Sequence, residues 1–407
     1  MDGGPIAADI NNMKILNTAV GILKAKFFGQ PFYTRYHVTH RCNHRCRMCS
    51  LHELADENKE LRGAKVQKVA QKLHELGARH VVITGGEAFL REDIADIVRT
   101  FSEMGFSVRI QTNGGAHVTR DLMAACARAG LRDVSVSIDT LNRKLQDDIC
   151  QSRNVVDNAL RTLRMARELL PDGLSQANVV ASKYNFEELP NLVRFFHSLG
   201  VYTYITPVMI AAGAEKDSEE EYLFRSGDTE FCIEGIAPAI RDRVINELIM
   251  LRREGMGLTN STRYLEDYRK YLETGKCDWK CEAGTLVVDV YPDGSVCVCK
   301  EKPPVGNILD EGFVQYYRSG AFREEACRTA NECTGCFYGE YREPQYAVRD
   351  LSVFGEWVRG WFRTFRRGMK LGARPEPLAP LPQDPRDKGK RTTKDVVATG
   401  CDRCSAR

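Results

Sequence analysis

Residues 33–49 read YTRYHVTHRCNHRCRMC, and the rest of the chain is best read outward from them. The first part, YTRYHVT (33–39), is rich in β-branched and aromatic residues and predicts a strand. The second part sets three cysteines, Cys42-x3-Cys46-x2-Cys49, directly after that strand. Further strand-like runs lie at 79–84 (RHVVIT), 106–112 (FSVRIQT), 133–138 (DVSVSI), 177–181 (ANVVA) and 201–206 (VYTYIT). Helical patterns near 64–77, 92–104, 119–129, 155–169 and 186–199 fall between them, with Gly77, Gly105, Gly130 and Gly200 marking helix ends. Six strands alternating with helices predict an α/β fold whose parallel sheet is covered on its faces. In such sheets and barrels the chemistry sits on loops at the carboxyl ends of strands, which is where the cysteine triplet falls.

A chain of 407 residues allows two or three domains. Lys+Arg of 58 against Asp+Glu of 55 gives a net charge of +3, so no polyelectrolyte character points to nucleic acid. No apolar run reaches the ~18 residues needed to span a bilayer, and no signal peptide opens the sequence, so a cytoplasmic protein is expected. Fifteen cysteines are then an anomaly: three form the triplet and seven lie between 277 and 336. Reduced, clustered thiols point to metal rather than to a disulfide framework.

A structural zinc site wants four closed ligands, whereas three cysteines on one short loop suit a [4Fe–4S] cluster with one iron left open. Zinc completed by His40, His44 or His52 is the alternative that spacing leaves standing. Other strand ends add polar groups: Thr84-Gly85-Gly86-Glu87, Gln111-Thr112-Asn113-Gly114, and Ser137-Ile138-Asp139. The glycines permit close backbone approach, and the Glu87 carboxylate suits an ammonium group. Together these loops would converge on one small polar ligand.

Residues 33–210 resemble the radical S-adenosylmethionine (SAM) enzymes, through CxxxCxxC after the first strand and GGE after the second. The resemblance implies a partial (β/α)6 barrel in which Cys42, Cys46 and Cys49 ligate a [4Fe–4S] cluster and SAM chelates the open iron. Gly85, Gly86 and Glu87 would engage the SAM amino group, and Asn113, Ser137 and Asp139 its ribose or methionine portion. Met48 stands where the family usually carries an aromatic residue against the adenine; a thioether also packs on a ring. The implied chemistry is reductive cleavage of SAM to a 5′-deoxyadenosyl radical that abstracts hydrogen from an unactivated carbon. An electron donor such as flavodoxin or ferredoxin would supply the electron.

The second cysteine group is Cys277, Cys281, Cys297, Cys299, Cys327, Cys333 and Cys336. Residues 285–299 (TLVVDVYPDGSVCVC) read as a hairpin turned by Pro292-Asp293-Gly294. With Gly306-Asn307-Ile308 and Cys333-x2-Cys336, this region resembles the SPASM-type extension of radical SAM enzymes. The resemblance implies that Cys281, Cys299, Cys333 and Cys336 hold one auxiliary [4Fe–4S] cluster, with Cys277 and Cys327 as spare or exchanged ligands and a zinc knuckle as the alternative. Alternation in a strand would point Cys297 the same way as Cys299, so either thiol is a candidate ligand. Cys126, Cys150 and Cys232 have no partners in sequence and read as ordinary buried thiols. Cys401-x2-Cys404 is a half-site without a second pair.

Two further stretches are amphipathic. Residues 13–28 place Ile15, Leu16, Ala19, Val20, Leu23 and Phe27 on one face. Residues 351–370 combine Phe354, Trp357, Trp361, Phe362 and Phe365 with Arg359, Arg363, Arg366, Arg367 and Lys370. Residues 351–407 carry 13 Lys/Arg and 6 Asp/Glu, a basic tail of +7 on a body of −4. Both helices suit either packing on the enzyme or lying on an anionic membrane, and the second also suits contact with protein or RNA, so peripheral attachment is one expectation. Five prolines in 371–390 predict an unfolded linker. The expected division is an N-terminal helix (1–32), radical SAM barrel (33–235), helical linker (236–276), SPASM-like module (277–345), basic amphipathic C-terminal helix (346–372) and flexible tail (373–407). Only 41 residues precede Cys42, too few for a leader-peptide-binding domain, which with the amphipathic stretches favours a lipid or lipid-linked substrate. A peptide- or protein-modifying enzyme is the alternative, and an iron–sulfur redox or regulatory protein without turnover is a third reading.

Overall fold

The strand–helix alternation folds into one sheet. The computed structural model describes residues 33–209, 229–233, 235–275, 279–333 and 335–356, with isolated positions between 21 and 31 and Arg359. Strands β1 (Tyr33–Thr39), β2 (His80–Gly85), β3 (Ser107–Thr112), β4 (Asp133–Ser137), β5 (Ser175–Ala181) and β6 (Tyr202–Pro207) are parallel, each pairing with the next. Burial on both faces explains why the middle of β2, Val81-Val82-Ile83, is continuously apolar.

The crossovers are helical: α1 (Ala64–Leu76), α2 (Ile94–Glu103), α3 (Arg120–Arg128), α4 (Arg143–Cys150), α5 (Val155–Leu169) and α6 (Leu189–Ser198). Helix α1 shows how the pattern works, burying Val66, Val69, Ala70, Leu73 and Leu76 at helical spacing. Side-chain caps fix two starts: Thr119 Oγ1 accepts from Leu122 N at 3.3 Å and Asn142 Oδ1 from Leu145 N at 3.1 Å. The six strands and five of these helices fall within a few residues of the sequence expectation; α4 was not expected.

The second half does not build its own sheet. After α7 (Pro238–Glu254) and α8 (Thr262–Thr274), β7 (Val287–Val290) pairs parallel with β1, and β8 (Ser295–Cys297) and β9 (Pro304–Asn307) follow antiparallel. The sheet therefore runs β6-β5-β4-β3-β2-β1-β7-β8-β9. The expected hairpin is present, and through β7 it docks on the edge of β1 that β2 leaves open. Arg35 lies opposite Asp289 in this pairing, with Nε 2.6 Å from Oδ1 and both residues buried. Helices α9 (Phe313–Arg318), α10 (Gly320–Glu332) and α11 (Gly339–Arg349) complete the module.

Most of 13–28 and of 351–370, all of 371–407, and Cys277, Cys401 and Cys404 lie outside the described residues. The first turn after α11 is described: Val353 is fully buried, and Glu356 Oε2 accepts from Thr262 N at 3.1 Å and lies 3.4 Å from Arg252 Nε. Residues 351–356 therefore pack on the body of the protein. Among the described residues, no helix is long and apolar enough to cross a membrane.

Candidate active site

The loop after β1 is fixed from three sides. From within, the Gly85-Gly86 turn lies against it: Gly86 N donates to Thr39 O and Glu87 N to Arg41 O, both at 2.8 Å. A Cβ on Gly85 would collide with Thr39 O, and one on Gly86 with Arg41 O and with His40 O at 2.5 Å. Gly85 also sits at φ +144°, a backbone region that L side chains rarely adopt. From below, Glu60 accepts from Thr39 Oγ1 and, at 2.9 Å, from Arg41 Nε, while buried Arg91 donates to Val38 O at 2.8 Å. From the side, the end of α4 receives the loop: Arg45 N donates to Cys150 O at 3.1 Å and Arg47 N to Ile149 O at 2.9 Å. These bonds occupy two of the terminal carbonyls that a helix leaves open. Gly86→Ala is expected to push the loop away and cost about 1–3 kcal/mol, as overpacking against rigid backbone does. Urea denaturation should show a lowered midpoint, with reduced iron loading after reconstitution.

Cys42, Cys46, Cys49, Met48, Gly85, Gly86, Asn113, Ser137 and Asp139 all line one cavity of about 690 Å³. Of the residues expected to hold the first cluster and SAM, Glu87 alone does not line it. Its side chain is fully buried and accepts from Thr112 Oγ1 at 2.7 Å, Asn113 N at 2.6 Å and Phe89 N at 3.0 Å. Those bonds tie the β2 and β3 ends together, leaving the glycines of the turn as its cavity-facing part.

Asn113 bridges to the cysteine loop through Asn43 Oδ1 at 2.8 Å and lies 3.8 Å from Cys42 Sγ. Asp139 accepts from Val180 N at 2.8 Å, and Gln146 Oε1 takes the amides of Asp139 and Thr140, both at 2.9 Å. Burial pushes the Asp139 carboxyl up to about 7. Met48 packs on a small apolar group containing Ile149, Val155 and Phe231.

Sequence reasoning missed Cys150 and Gln146 because it missed α4. Cys150 is not an isolated core thiol. It lines the cavity, receives Gln146 Nε2 at 3.2 Å, and its sulfur lies with the Cys46 sulfur and a His44 ring nitrogen, all within 4.8 Å of one another. The hydrogen bond it shares with Cys46 lowers its own pKa and raises that of Cys46. Cys126, by contrast, is a core thiol raised by burial alone.

The second cysteine set converges as well. Cys281, Cys299, Cys333 and Cys336 surround a separate cavity of about 80 Å³, also lined by Tyr341. Cys297 is buried on β8 opposite Asp289, and Cys327 on α10 is exposed. Neither lines that cavity.

One backbone feature runs through both sets. The sulfurs of Cys42, Cys281 and Cys333 accept from the amides of His44, Ala283 and Gly335, at 3.4, 3.4 and 3.3 Å. At Cys49, Cys299 and Cys336 the amides of Leu51, Glu301 and Tyr338, again two residues on, act to lower the thiol pKa. Burial opposes them, raising Cys42 and Cys299 to about 11 and Cys281 to about 12. Partly buried sulfurs beside amide donors ionise when iron takes the place of the proton. The donor chemistry therefore fits iron–sulfur clusters at both sites.

Residues 36–196 match the family model described as the Radical SAM superfamily. Those residues belong to the radical SAM superfamily. Such a domain binds a [4Fe–4S] cluster and SAM. The PqqA peptide cyclase of Bradyrhizobium diazoefficiens is 31% identical over 171 residues, 42% of this chain and 44% of that one. A probable GTP 3′,8-cyclase of Methanopyrus kandleri is 35% identical over 162 residues, 39% of this chain and 50% of that one. The chain thus spans about half the length of these curated relatives. In structure, the radical SAM fold continues beyond the matched segment. Streptococcus suis SuiB bound to precursor peptide SuiA superposes with a TM-score of 0.56 at 16% identity, over 80% of this chain and 73% of SuiB.

Proposed function

We propose that this protein is a radical SAM enzyme with one auxiliary iron–sulfur cluster and that it modifies a peptide or protein. The observation that carries the reading is the convergence of the seven expected ligands on two separate cavities, three in one and four in the other, with amide donors on Cys42, Cys281 and Cys333. The peptide assignment draws on the PqqA peptide cyclase and on the peptide-bound SuiB. It replaces a lipid as the first choice of substrate, since residues 351–356 pack on the protein's own body. When bound, the cluster and SAM together supply the reducing electron and the hydrogen-abstracting radical.

The chain's own residues have the remaining tasks. Cys42, Cys46 and Cys49 hold the iron, and the Gly85-Gly86 backbone, with no side chain in the way, receives the SAM amino group. Asp139, held by Gln146, and Asn113, held by Asn43, orient the rest of SAM, with Met48 against its adenine. Cys281, Cys299, Cys333 and Cys336 hold the auxiliary cluster, and an external reductant such as flavodoxin or ferredoxin delivers the electron.

Anaerobically reconstituted protein should carry about eight iron atoms per chain, two [4Fe–4S] clusters. Cys333→Ala with Cys336→Ala should lose about half of them yet still release 5′-deoxyadenosine from SAM, measured by chromatography. Iron content unaltered by the pair would overturn the auxiliary assignment. Mass spectrometry of peptides and lipids from cells with and without the gene tests the substrate: a gene-dependent peptide mass shift supports the proposal, and a shift confined to lipids defeats it.

A further inference from the structure

Helix α11 closes one wall of the main cavity, contributing Gly339, Glu340, Glu343 and Pro344 to its lining. It comes close to the sheet: a Cβ on Gly339 would strike the Tyr204 hydroxyl of β6. Glu340 and Glu343 lie three positions apart, on one helix face, yet their surroundings differ. Glu340 Oε1 is 2.8 Å from Arg35 Nη1 and 2.5 Å from Lys300 Nζ. The other cations lining the cavity are also matched, Arg109 to Asp133 at 3.5 Å and Arg252 to Glu356 at 3.4 Å.

Glu343 makes no ion pair among the described residues; the Arg252–Glu356 pair faces it, Arg252 favouring its charged form and Glu356 opposing it. Glu343 is 6% exposed, Oε1 accepts from Ser261 N at 2.8 Å, and Oε2 has no hydrogen-bond donor among the described residues. Asp139 is the other lining carboxylate without an ion pair, and it sits beside the cysteine loop with both oxygens hydrogen-bonded. A buried carboxylate oxygen left without a donor is costly, and a cation placed against it removes that cost.

We propose that Glu343 binds a cationic group of the substrate, the ammonium or guanidinium of a lysine- or arginine-like side chain reaching into the cavity. This rests on the peptide reading above and names the kind of side chain that reading requires. Charge selection follows, because an uncharged isostere leaves the carboxylate unmatched and a carboxylate-bearing side chain repels it. Burial holds the Glu343 carboxyl up at about 7, so selection should weaken as pH falls below that value and the group becomes neutral.

The test uses reconstituted, unreduced, SAM-loaded holoenzyme titrated with Nα-acetyl-lysine methylamide and its norleucine counterpart, followed by ligand-observed NMR. Wild type should bind the lysine probe at least tenfold more tightly at pH 8, and the ratio should fall severalfold at pH 5.5. E343Q should bring the ratio to within twofold at both pH values, whereas E343D should keep a preference for lysine. Equal affinities in wild type, or a ratio that survives E343Q, overturn the inference. Ratios are compared within each preparation, and iron content reports whether a variant is folded. Wild type assayed in parallel for 5′-deoxyadenosine separates the two readings: turnover without charge preference defeats the Glu343 assignment alone, while preference without turnover defeats the enzyme reading alone.

Discussion

Replacing Cys42, Cys46 and Cys49 together by alanine should abolish 5′-deoxyadenosine formation and remove about half of the iron, while the auxiliary iron stays. The physical reason is separation. The three thiols line the main cavity and the other four ligands line a second one, so the two sets share no residue. Alanine offers no donor to iron, and reductive cleavage of SAM has no route without it. The loop itself should hold its path, because the bonds fixing it come from backbone amides and from Glu60, Arg91 and the end of α4. Iron analysis and product chromatography on the same preparation check both halves of the expectation. Continued SAM cleavage by the triple variant would defeat the active-site assignment.

Arg35→Met is expected to destabilise the protein by about 3–5 kcal/mol, the usual cost of stripping one partner from a buried ion pair. Arg35 reaches Asp289 at 2.6 Å, Glu340 at 2.8 Å and the Tyr341 hydroxyl at 2.7 Å, and that hydroxyl donates onward to Asp289 at 2.6 Å. The methionine variant leaves the fully buried Asp289 facing only a tyrosine. Adding Asp289→Leu should recover much of the loss, since a matched apolar pair leaves no stranded charge. Urea midpoints at constant m-value measure both changes. A single-variant cost below about 1 kcal/mol would show that the pair does not hold the hairpin to β1. Burial alone would raise the Glu340 carboxyl, but Lys300 and Arg35 outweigh it and hold it down at about 2. Its contribution to stability is therefore present above the ordinary carboxyl value of 4.5 and is lost as pH falls toward 2.

What was legible in the sequence depended on how locally it is encoded. Strand β1 has the bounds that its β-branched and aromatic content predicts, and helix α5 those of its apolar periodicity, because both signals reside in the residues of the element itself. Helix α4, RKLQDDIC, carries too few apolar residues for a periodic signal, and one of the three residues it buries is Gln146. Missing it hid Cys150 and the support beneath the cysteine loop. Helix α11 was hidden differently, since Pro344 lies inside it and proline reads as a breaker. Glu343 was lost with it.

The sequence by itself determined the parallel α/β order and the thiols that could serve as ligands, since chain order and residue chemistry are local properties. Placement of the polar groups required the tertiary structure. Glu87 reads as a free carboxylate after a glycine pair, and only the β3 end, whose Thr112 and Asn113 donate to it, turns it inward. Likewise Cys297 and Cys299 are equivalent by spacing, and it is the end of β8 at Cys297 that lets Cys299 leave the strand and join Cys281, Cys333 and Cys336. The pairing of β7 with β1, joined by the Arg35–Asp289 contact across 254 positions, brings the second cavity beside the first. Contacts between residues so far apart are selected by packing and charge matching in the folded state, and no local pattern records them.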